Sequence, residues 1–373
     1  MAVWASVDAL RARVNARIRA ALSGETGEIA VALITGERGG ISEELNQAMR
    51  DSGLAHILSI SGLHMVIMGL SDVSLVWATL RKGWGLVMGA AVTTLVASAA
   101  IAPFAVYHFH RMTQYGLVAN MIAAPLVSLL IMPMAVLSLI AMPFGLEVWP
   151  LKAMGFGIEL MVKAGVWVAG WPGAVTVLPA ISGTALVLMV LGGLWLCLWQ
   201  TRTRALGLVI AAAGLALAPG GQRPDVLIDR DGATAAFRSE GGSLVFPPAT
   251  AAGYSVDNWL LADGDERDAA AAASEDGAFR CDLLGCIGTV KGKTVALIRH
   301  PAALEEDCRL ADIVIAPFTI GKTCRAARVI VDRRMLKSEG ASALYIEGLS
   351  IRTETVAAAR GRRPWVPDHA IVR

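Results

Sequence analysis

Long apolar runs fill the middle of the chain, from about residue 55 to residue 219, and charged sequence lies on both sides of them. A helix needs about 20 apolar residues to cross the ~30 Å hydrocarbon core of a bilayer. The pattern therefore predicts an α-helical polytopic membrane domain of about five or six spans. We place the spans at 57–78, 84–104, 115–142, 149–170, 181–199 and 204–218.

Two of these spans contain residues that are unusual inside a membrane helix. Pro125 and Pro133 lie in the third span, which we expect to kink or break because proline removes a helical hydrogen bond. The fourth span contains Lys152, Glu159 and Lys163. It is predicted either to lie in the membrane interface or to line the interior of the bundle.

The first 54 residues are predicted to be a soluble or interfacial segment. Ala5–Leu22 carries four arginines and has the spacing of an amphipathic helix, with Val7, Leu10, Val14 and Ile18 on one side. We interpret it as a surface or interfacial helix, with a DNA-touching arm as the alternative.

A second, shorter helix is expected before the first span. Ser42 has the side chain of an N-cap, two acidic residues follow it, and the helix should end near Ser52-Gly53. The preceding apolar stretch Ile29–Thr35 fits either a strand or a short helix.

Residues 221–373 show the short alternating runs of a soluble mixed α/β domain. Lys291-Gly292 is typical of a tight hairpin turn, and helices are predicted at Ser255–Ala262 and Ala302–Leu310. The predicted strands are Asp225–Asp229, Thr234–Arg238, Ser243–Phe246, Ile287–Lys291, Thr294–Arg299, Asp312–Pro317, Arg328–Asp332 and Ala343–Glu347.

The chain has five cysteines, of which Cys197 lies in a predicted span and is expected to be packed as a small apolar residue. The other four lie in the C-terminal domain, and an even number there predicts disulfides in an oxidising compartment. They are Cys281, Cys286, Cys308 and Cys324, and the first two are close enough in sequence to bridge a tight loop. Zinc is the alternative, although the C-x4-C spacing is poor for it.

One face of the first span is polar. Ser61, His64, Met68, Ser71 and Asp72 fall within about 100° of arc on a helix of 100° per residue. Such residues either form hydrogen bonds between membrane helices or line a polar path through the bilayer.

Aromatic and basic residues follow the second span. Tyr107-His108-Phe109-His110-Arg111 is succeeded by Tyr115, and the two histidines would share one side of an extended segment. Aromatic and cationic residues at the end of a span are typical interface anchors. They are also what single-stranded DNA needs, because bases stack on rings and phosphates pair with cations.

The C-terminal domain lacks a recognisable catalytic motif. It contains no H-x-H-x-D-H metal-binding string, and no Walker A or G-x-S-x-G motif occurs in the chain. Asp263, Asp265 and Glu266, beside Arg267, are predicted to form a solvated turn. We therefore expect no enzymatic activity, no cofactor and no bound metal.

Four stretches resemble the ComEC family of DNA-internalisation competence proteins, over roughly residues 25–220. They are Leu33–Ser42, Ala55–Met65, Ala102–Arg111 and Tyr115–Asn120. The C-terminal domain more loosely resembles a degenerate form of that family's metallo-β-lactamase-like tail, through Ala311–Pro317.

This resemblance implies a protein of the bacterial inner membrane that contributes to a channel for uptake of single-stranded DNA in transformation. The implied partners are the lipid bilayer, single-stranded DNA, other competence proteins and further copies of the chain. The residues expected along the DNA path are Ser61, His64, His108, His110, Arg111 and Tyr115. Basic residues in short loops favour the cytoplasm, which places the N-terminal segment and the C-terminal domain in the periplasm.

The chain also departs from the family pattern. The family's N-terminal spans and OB-like domain are missing, several spans between residues 65 and 107 are missing, and the tail lacks the metal ligands. These differences imply a truncated and internally deleted copy, so an inactive remnant is one alternative function. A membrane-tethered hydrolase or nuclease is the other.

Overall fold

The computed structural model describes residues 2–59, 83–248, 250, 253–273, 279–321, 324, 326–361 and 363. Most of the predicted first span, with Ser61 and His64 on its polar face, lies outside the described residues. The chain divides into two compact units, Met1–Ala105 with Arg111–Thr176, and Val106–His110 with Val177–Arg373.

The first unit is largely helical. Its elements are α1 (Ala2–Ala21), α2 (Gly24–Thr35), α3 (Glu43–Asp51), α4 (Ala55–Ser59), most of α5 (Gly83–Phe109), β1 (Arg111–Thr113), α6 (Gly116–Leu126), a π-helical turn (Val127–Ile131), α7 (Met132–Ala141), a 3₁₀ turn (Met142–Phe144), α8 (Val148–Ala169) and β2 (Val175–Val177).

Helix α8 is at the centre of this unit. Leu151, Met154, Ile158 and Met161 follow one another at helical spacing, and all four side chains are completely buried among α2, α3, α6 and α7. The three charged residues predicted in this helix lie on its exposed side.

The region before the first span is helical. Ile29 and Leu33 are buried in α2, so the stretch that fitted a strand or a helix is a helix, and it ends at Gly36 in the left-handed conformation. The predicted cap is confirmed, because the Ser42 hydroxyl accepts the Leu45 N–H at 3.2 Å.

The third span is not broken at its prolines, because Gly116–Phe144 is one continuous helical stretch. The helix widens into a π-helical turn at Val127–Ile131, between Pro125 in α6 and Pro133 in the first turn of α7. A π-turn is one of the few ways to keep a helix continuous where prolines remove backbone donors.

The main part of the second unit, from Val177 onward, begins with a helical hairpin, α9 (Gly183–Leu198) and α10 (Leu206–Leu217), joined by a 3₁₀ turn at Arg202–Ala205. The two backbones touch, because a Cβ on Gly207 would lie 2.6 Å from the Gly192 carbonyl oxygen. A Cβ on Gly214 would lie 2.9 Å from the Ala185 carbonyl oxygen. Small residues allow this close packing where the bilayer supplies no hydrophobic force between helices.

Among the described residues, three helical stretches are long and apolar enough to cross a membrane. They are Ala91–Phe109, Gly116–Phe144 and Arg202–Gly220, and Gly183–Leu198 is a shorter apolar helix. The predicted fourth span is a helix at Val148–Ala169, but it contains three charged residues and is therefore not one of these three candidate spans.

The rest of the second unit is rich in β-structure. Its strands are β3 (Val226–Ile228), β4 (Ala235–Arg238), β5 (Leu244–Val245), β6 (Phe279–Cys281), β7 (Gly285–Val290), β8 (Lys293–Ile298), β9 (Ile313–Ile315), β10 (Val329–Val331), β11 (Ser342–Glu347) and β12 (Ser350–Thr355). Its helices are α11 (Tyr254–Asp263), α12 (Ala269–Ala272), α13 (Leu304–Leu310), α14 (Arg333–Glu339) and α15 (Val356–Arg360), with 3₁₀ turns at Ala218–Gly220 and Pro301–Ala303.

The strands form two sheets that face each other. One has the order β12-β11-β3-β4-β5 and is antiparallel, and the other has the order β10-β9-β8-β7-β6 with parallel pairs at β8-β9 and β9-β10. Phe237 of the first sheet and Leu297 of the second share one core. Helices α11 and α12 cover the outer face of the first sheet, and α13 covers that of the second.

All eight predicted strands are present, with shifted ends, whereas β6 and β12 are additional to them. The Lys291-Gly292 hairpin turn is confirmed, since both residues have positive φ, 46° and 73°.

Candidate DNA-contact segment

The end of helix α5 does not have the extended geometry expected of the histidine pair. The helix continues to Phe109, so the prediction that His108 and His110 share one side of an extended segment is wrong. The chain instead turns sharply at His110, whose φ is 56°. His108 stays exposed on the last turn of the helix, with its ring edge-on to Tyr107 at 4.9 Å.

His110 is held by its backbone, and its ring is only partly exposed. Its N–H donates to the Val106 carbonyl at 3.1 Å, and its own carbonyl accepts the Leu178 N–H at 2.9 Å. The ring Nδ1 is buried and has no hydrogen-bond partner among the described residues. Burial lowers the pKa of this imidazole, and the neighbouring His108 lowers it further. His110 is therefore suited to a neutral ring and not to a standing positive charge.

Arg111 begins strand β1 and faces the C-terminal end of α3. Its Nη1 lies 3.5 Å from Asp51 Oδ1, and Asp51 Oδ1 also accepts a hydrogen bond from Gln47 Nε2 at 2.7 Å. Both side chains of the ion pair are partly exposed. The positive charge is thus balanced within the unit, and an incoming phosphate would compete with Asp51 for it.

Tyr115 precedes the first turn of α6, and its ring packs against the core of the first unit. Its hydroxyl donates to the Pro172 carbonyl at 3.2 Å. The ring lies edge-on to Trp171 at 5.1 Å, and Trp171 lies edge-on to Trp167 at 4.8 Å. The three rings form a ladder whose outer member, Trp167, is 58% exposed.

Close backbone contacts bring these side chains together. Gly53, at φ +79°, leaves only 3.2 Å between a Cβ at that position and Gly116 Cα, so the turn after α3 lies directly against the start of α6. The Gln114 N–H donates to the Ala174 carbonyl at 2.9 Å, which ties this turn to the segment after α8. Three separate parts of the first unit therefore meet at Arg111 and Tyr115.

The predicted path residues thus fall into three groups. Arg111 and Tyr115 lie together in the first unit, His108 and His110 belong to the second unit, and Ser61 and His64 are outside the described residues. Sequence reasoning did not single out Asp51 or the two tryptophans. The four-residue spacing of Trp167 and Trp171 could have indicated that the two rings lie close together. No local pattern marks Asp51 as the partner of Arg111, which is 60 positions away.

The acidic residues of the tail are more ordered than predicted. Asp263 is not in a solvated turn, because it forms a two-pronged ion pair with Arg238, at 2.8 Å and 3.2 Å, in which both side chains are less than 10% exposed. Asp265 pairs with Arg267, whose hydrogen bond lowers the pKa of that carboxyl. Among the residues described, no three His, Cys, Asp or Glu side chains gather as a metal site would require.

The four cysteines of the tail are joined in two disulfides, Cys281–Cys286 and Cys308–Cys324. Cys281 and Cys286 stand opposite each other at the ends of β6 and β7. Cys197 carries a free thiol and is exposed on α9, in contrast to the packed position expected for it.

Comparison with sequence families gives a match in the membrane-helical part of the chain. Residues 33–90 and 74–203 match the Competence protein family. The chain belongs to the Competence protein family. This is the family of the ComEC competence domain, and membership supports a membrane protein with a role in competence. No curated protein and no solved structure matches the chain.

The match to the Competence family includes the whole segment from Arg111 to Trp171. The Arg111–Asp51 pair and the aromatic ladder are therefore features of the competence domain of this chain, whereas Arg238 and Asp263 lie beyond the matched residues.

Proposed function

We propose that this competence protein contributes to the path by which single-stranded DNA crosses the bacterial inner membrane. The family match over the membrane helices carries the proposal. The partly exposed cation of Arg111 and the ladder of Tyr115, Trp171 and Trp167 support it, because phosphate pairing needs a cation and base stacking needs aromatic rings.

The proposal is tested by uptake of labelled DNA in a transformable host that depends on this chain. Arg111→Ala should reduce uptake strongly at unchanged membrane abundance, because the cation that faces the phosphate is lost. Arg111→Lys should retain more uptake than Arg111→Ala, since charge is kept. Lys152→Ala, which removes an exposed cation from α8, is the matched control and should behave as the unmodified protein.

Equal uptake by Arg111→Ala and the Lys152→Ala control would refute the role of Arg111. On sequence grounds His64→Ala belongs in the same series, as the predicted polar residue of the first span. Loss of uptake only in His64→Ala would indicate that the DNA path runs along the first span and not past Arg111.

We further propose that the C-terminal domain is periplasmic. It is held at the start of α9 and the end of α10, because the Ala180 N–H donates to the Ala262 carbonyl at 2.8 Å and Gln222 contacts Arg352 at 2.6 Å. The hairpin thus returns to the side of the domain, and its turn with Arg202 and Arg204 faces the other side. Positively charged turns favour the cytoplasm, and the two disulfides suit an oxidising compartment.

This sidedness is tested by single cysteines in a Cys197→Ser background. An impermeant maleimide added to spheroplasts should label Leu349→Cys, in the exposed β11–β12 turn, and should label Thr203→Cys only after lysis. The opposite pattern would put the domain in the cytoplasm.

The layers of the tail, with two facing sheets between helices, support a metallo-β-lactamase-like fold without the metal chemistry. We expect the purified full chain to bind no stoichiometric zinc or manganese and to leave single-stranded DNA intact. Metal-dependent nuclease activity that survives further purification would instead establish the hydrolase alternative.

An inactive remnant is the second candidate, because only one predicted span separates the Ser61–His64 segment from Tyr107, where the family resemblance leads us to expect several. A chain that inserts stably but supports no DNA uptake, in a host that expresses all other competence proteins, would establish it. Uptake that depends on the chain would exclude it.

A further inference from the structure

One apolar stripe runs the length of helix α1, but only its second half is covered. Val14 and Ile18 point into the core of the first unit, and Ile18 is completely buried. Trp4, Val7 and Leu10 continue the same stripe toward the N-terminus and are 75%, 52% and 62% exposed. The first half of the helix thus presents an apolar face that the first unit leaves bare.

The buried half of α1 is fixed beside the end of a candidate membrane span. Arg17 Nε donates to Glu147 Oε1 at 2.6 Å, and Glu147 is only 6% exposed. Glu147 follows the span Gly116–Phe144 by three residues. Position 17 of α1 therefore lies beside the end of a candidate membrane span.

Other exposed apolar side chains lie at the end of this candidate span. Phe144, Leu146 and Trp149 surround Glu147 in sequence, and each is more than 60% exposed. Tryptophan and other aromatic residues at the end of a span are typical of the lipid interface. The Arg17–Glu147 pair thus fixes the second half of α1 beside a segment whose exposed apolar side chains suit the lipid interface.

We propose that the first half of α1 lies in the membrane interface, with Trp4, Val7 and Leu10 inserted among lipid acyl chains. Amphipathic helices bind membranes in this way, with the apolar face buried about 5–10 Å below the headgroups. A second copy of the chain fits less well, because a stable dimer buries about 800 Å² per partner and three side chains supply far less.

The proposal is tested by spin labels on the full chain in vesicles of phosphatidylethanolamine and phosphatidylglycerol. One label replaces Val7 on the stripe, and the matched control replaces Ala9, which is also exposed but lies about 200° away around the helix. Cys197→Ser removes the free thiol, and the disulfides remain oxidised. The label at position 7 should collide more with oxygen and less with a water-soluble nickel complex than the label at position 9.

Two results would overturn the proposal. If positions 7 and 9 are equally accessible to nickel, the helix projects into water. If the label at position 7 is shielded from both reagents and shows dipolar broadening between labels, a second copy covers the stripe. A label at Leu10, on the same stripe, separates these outcomes from a local defect caused by the change at Val7.

Discussion

The buried ion pair between Arg238 and Asp263 should be a principal support of the C-terminal domain. Arg238 also donates from Nε to the Pro224 carbonyl at 2.9 Å and from Nη1 to the Gly242 carbonyl at 2.6 Å. Asp263→Ala would leave the guanidinium buried beside two carbonyls without its counter-charge. Removal of one partner from a buried pair costs about 3–5 kcal/mol.

The C-terminal domain follows a membrane hairpin, so a local readout is preferable to a melting temperature. Hydrogen exchange of strands β3 and β4, around Phe237, reports the opening of this sheet in the full chain. Since each ~1.4 kcal/mol corresponds to a tenfold change in an opening equilibrium, Asp263→Ala should accelerate exchange there by about a hundredfold or more.

Two further variants keep this prediction falsifiable. Asp263→Asn retains an acceptor of the same shape and should accelerate exchange less than Asp263→Ala. The double variant Arg238→Met with Asp263→Leu removes both charges and should recover most of the protection, because an apolar pair has no unpaired charge to bury. Unchanged exchange in Asp263→Ala would refute the reasoning.

Three other outcomes follow from the described contacts. Gly207→Val should separate the two helices of the α9–α10 hairpin, because its Cβ would meet a facing carbonyl oxygen at 2.6 Å. Cysteine cross-linking between the two helices should therefore be lost in Gly207→Val, whereas Gly193→Ala, which has open space at its Cβ, should retain the cross-linking. Replacement of Cys308 and Cys324 by serine removes a disulfide of sequence separation 16 and should reduce the unfolding free energy of the domain by about 3 kcal/mol. Urea titration measures this change, and the protein that retains both disulfides is the reference. Burial lowers the pKa of His110, so the fold around His110 should lose stability as pH falls through the unfolded-state pKa of about 6.5, because the unfolded chain then binds a proton that the folded chain does not. His110→Asn is compatible with the left-handed backbone and should abolish this pH dependence, as measured by hydrogen exchange near His110.

Local patterns predicted much of the secondary structure. The Ser42 cap, the Lys291-Gly292 turn and the irregular helical turn between Pro125 and Pro133 each depend on the conformational preferences of one or two residues. Strand β12, Ser350–Thr355, was not predicted because its sequence is largely polar, and its pairing with β11 is what makes it a strand.

The candidate site could be predicted only in part, because its contacts join distant residues. Arg111 and Tyr115 stand out as a cation and a ring at the end of a span, but Asp51 becomes relevant only through the fold. The same applies to Asp263, whose acidic neighbours favour a solvated turn until Arg238 is placed against it. The spacing of His108 and His110 likewise gave the wrong geometry, because helix α5 continues through His108 to Phe109.

The attachment of the C-terminal domain to both ends of the helical hairpin has a mechanical consequence. Ala180 and Gln222, which flank the hairpin, are each hydrogen-bonded to the rest of the domain. These bonds restrict the movement of the domain relative to the hairpin. A ligand that tilted the domain would have to tilt α9 and α10 with it. A force applied to the domain would therefore be transmitted to both helices of the hairpin.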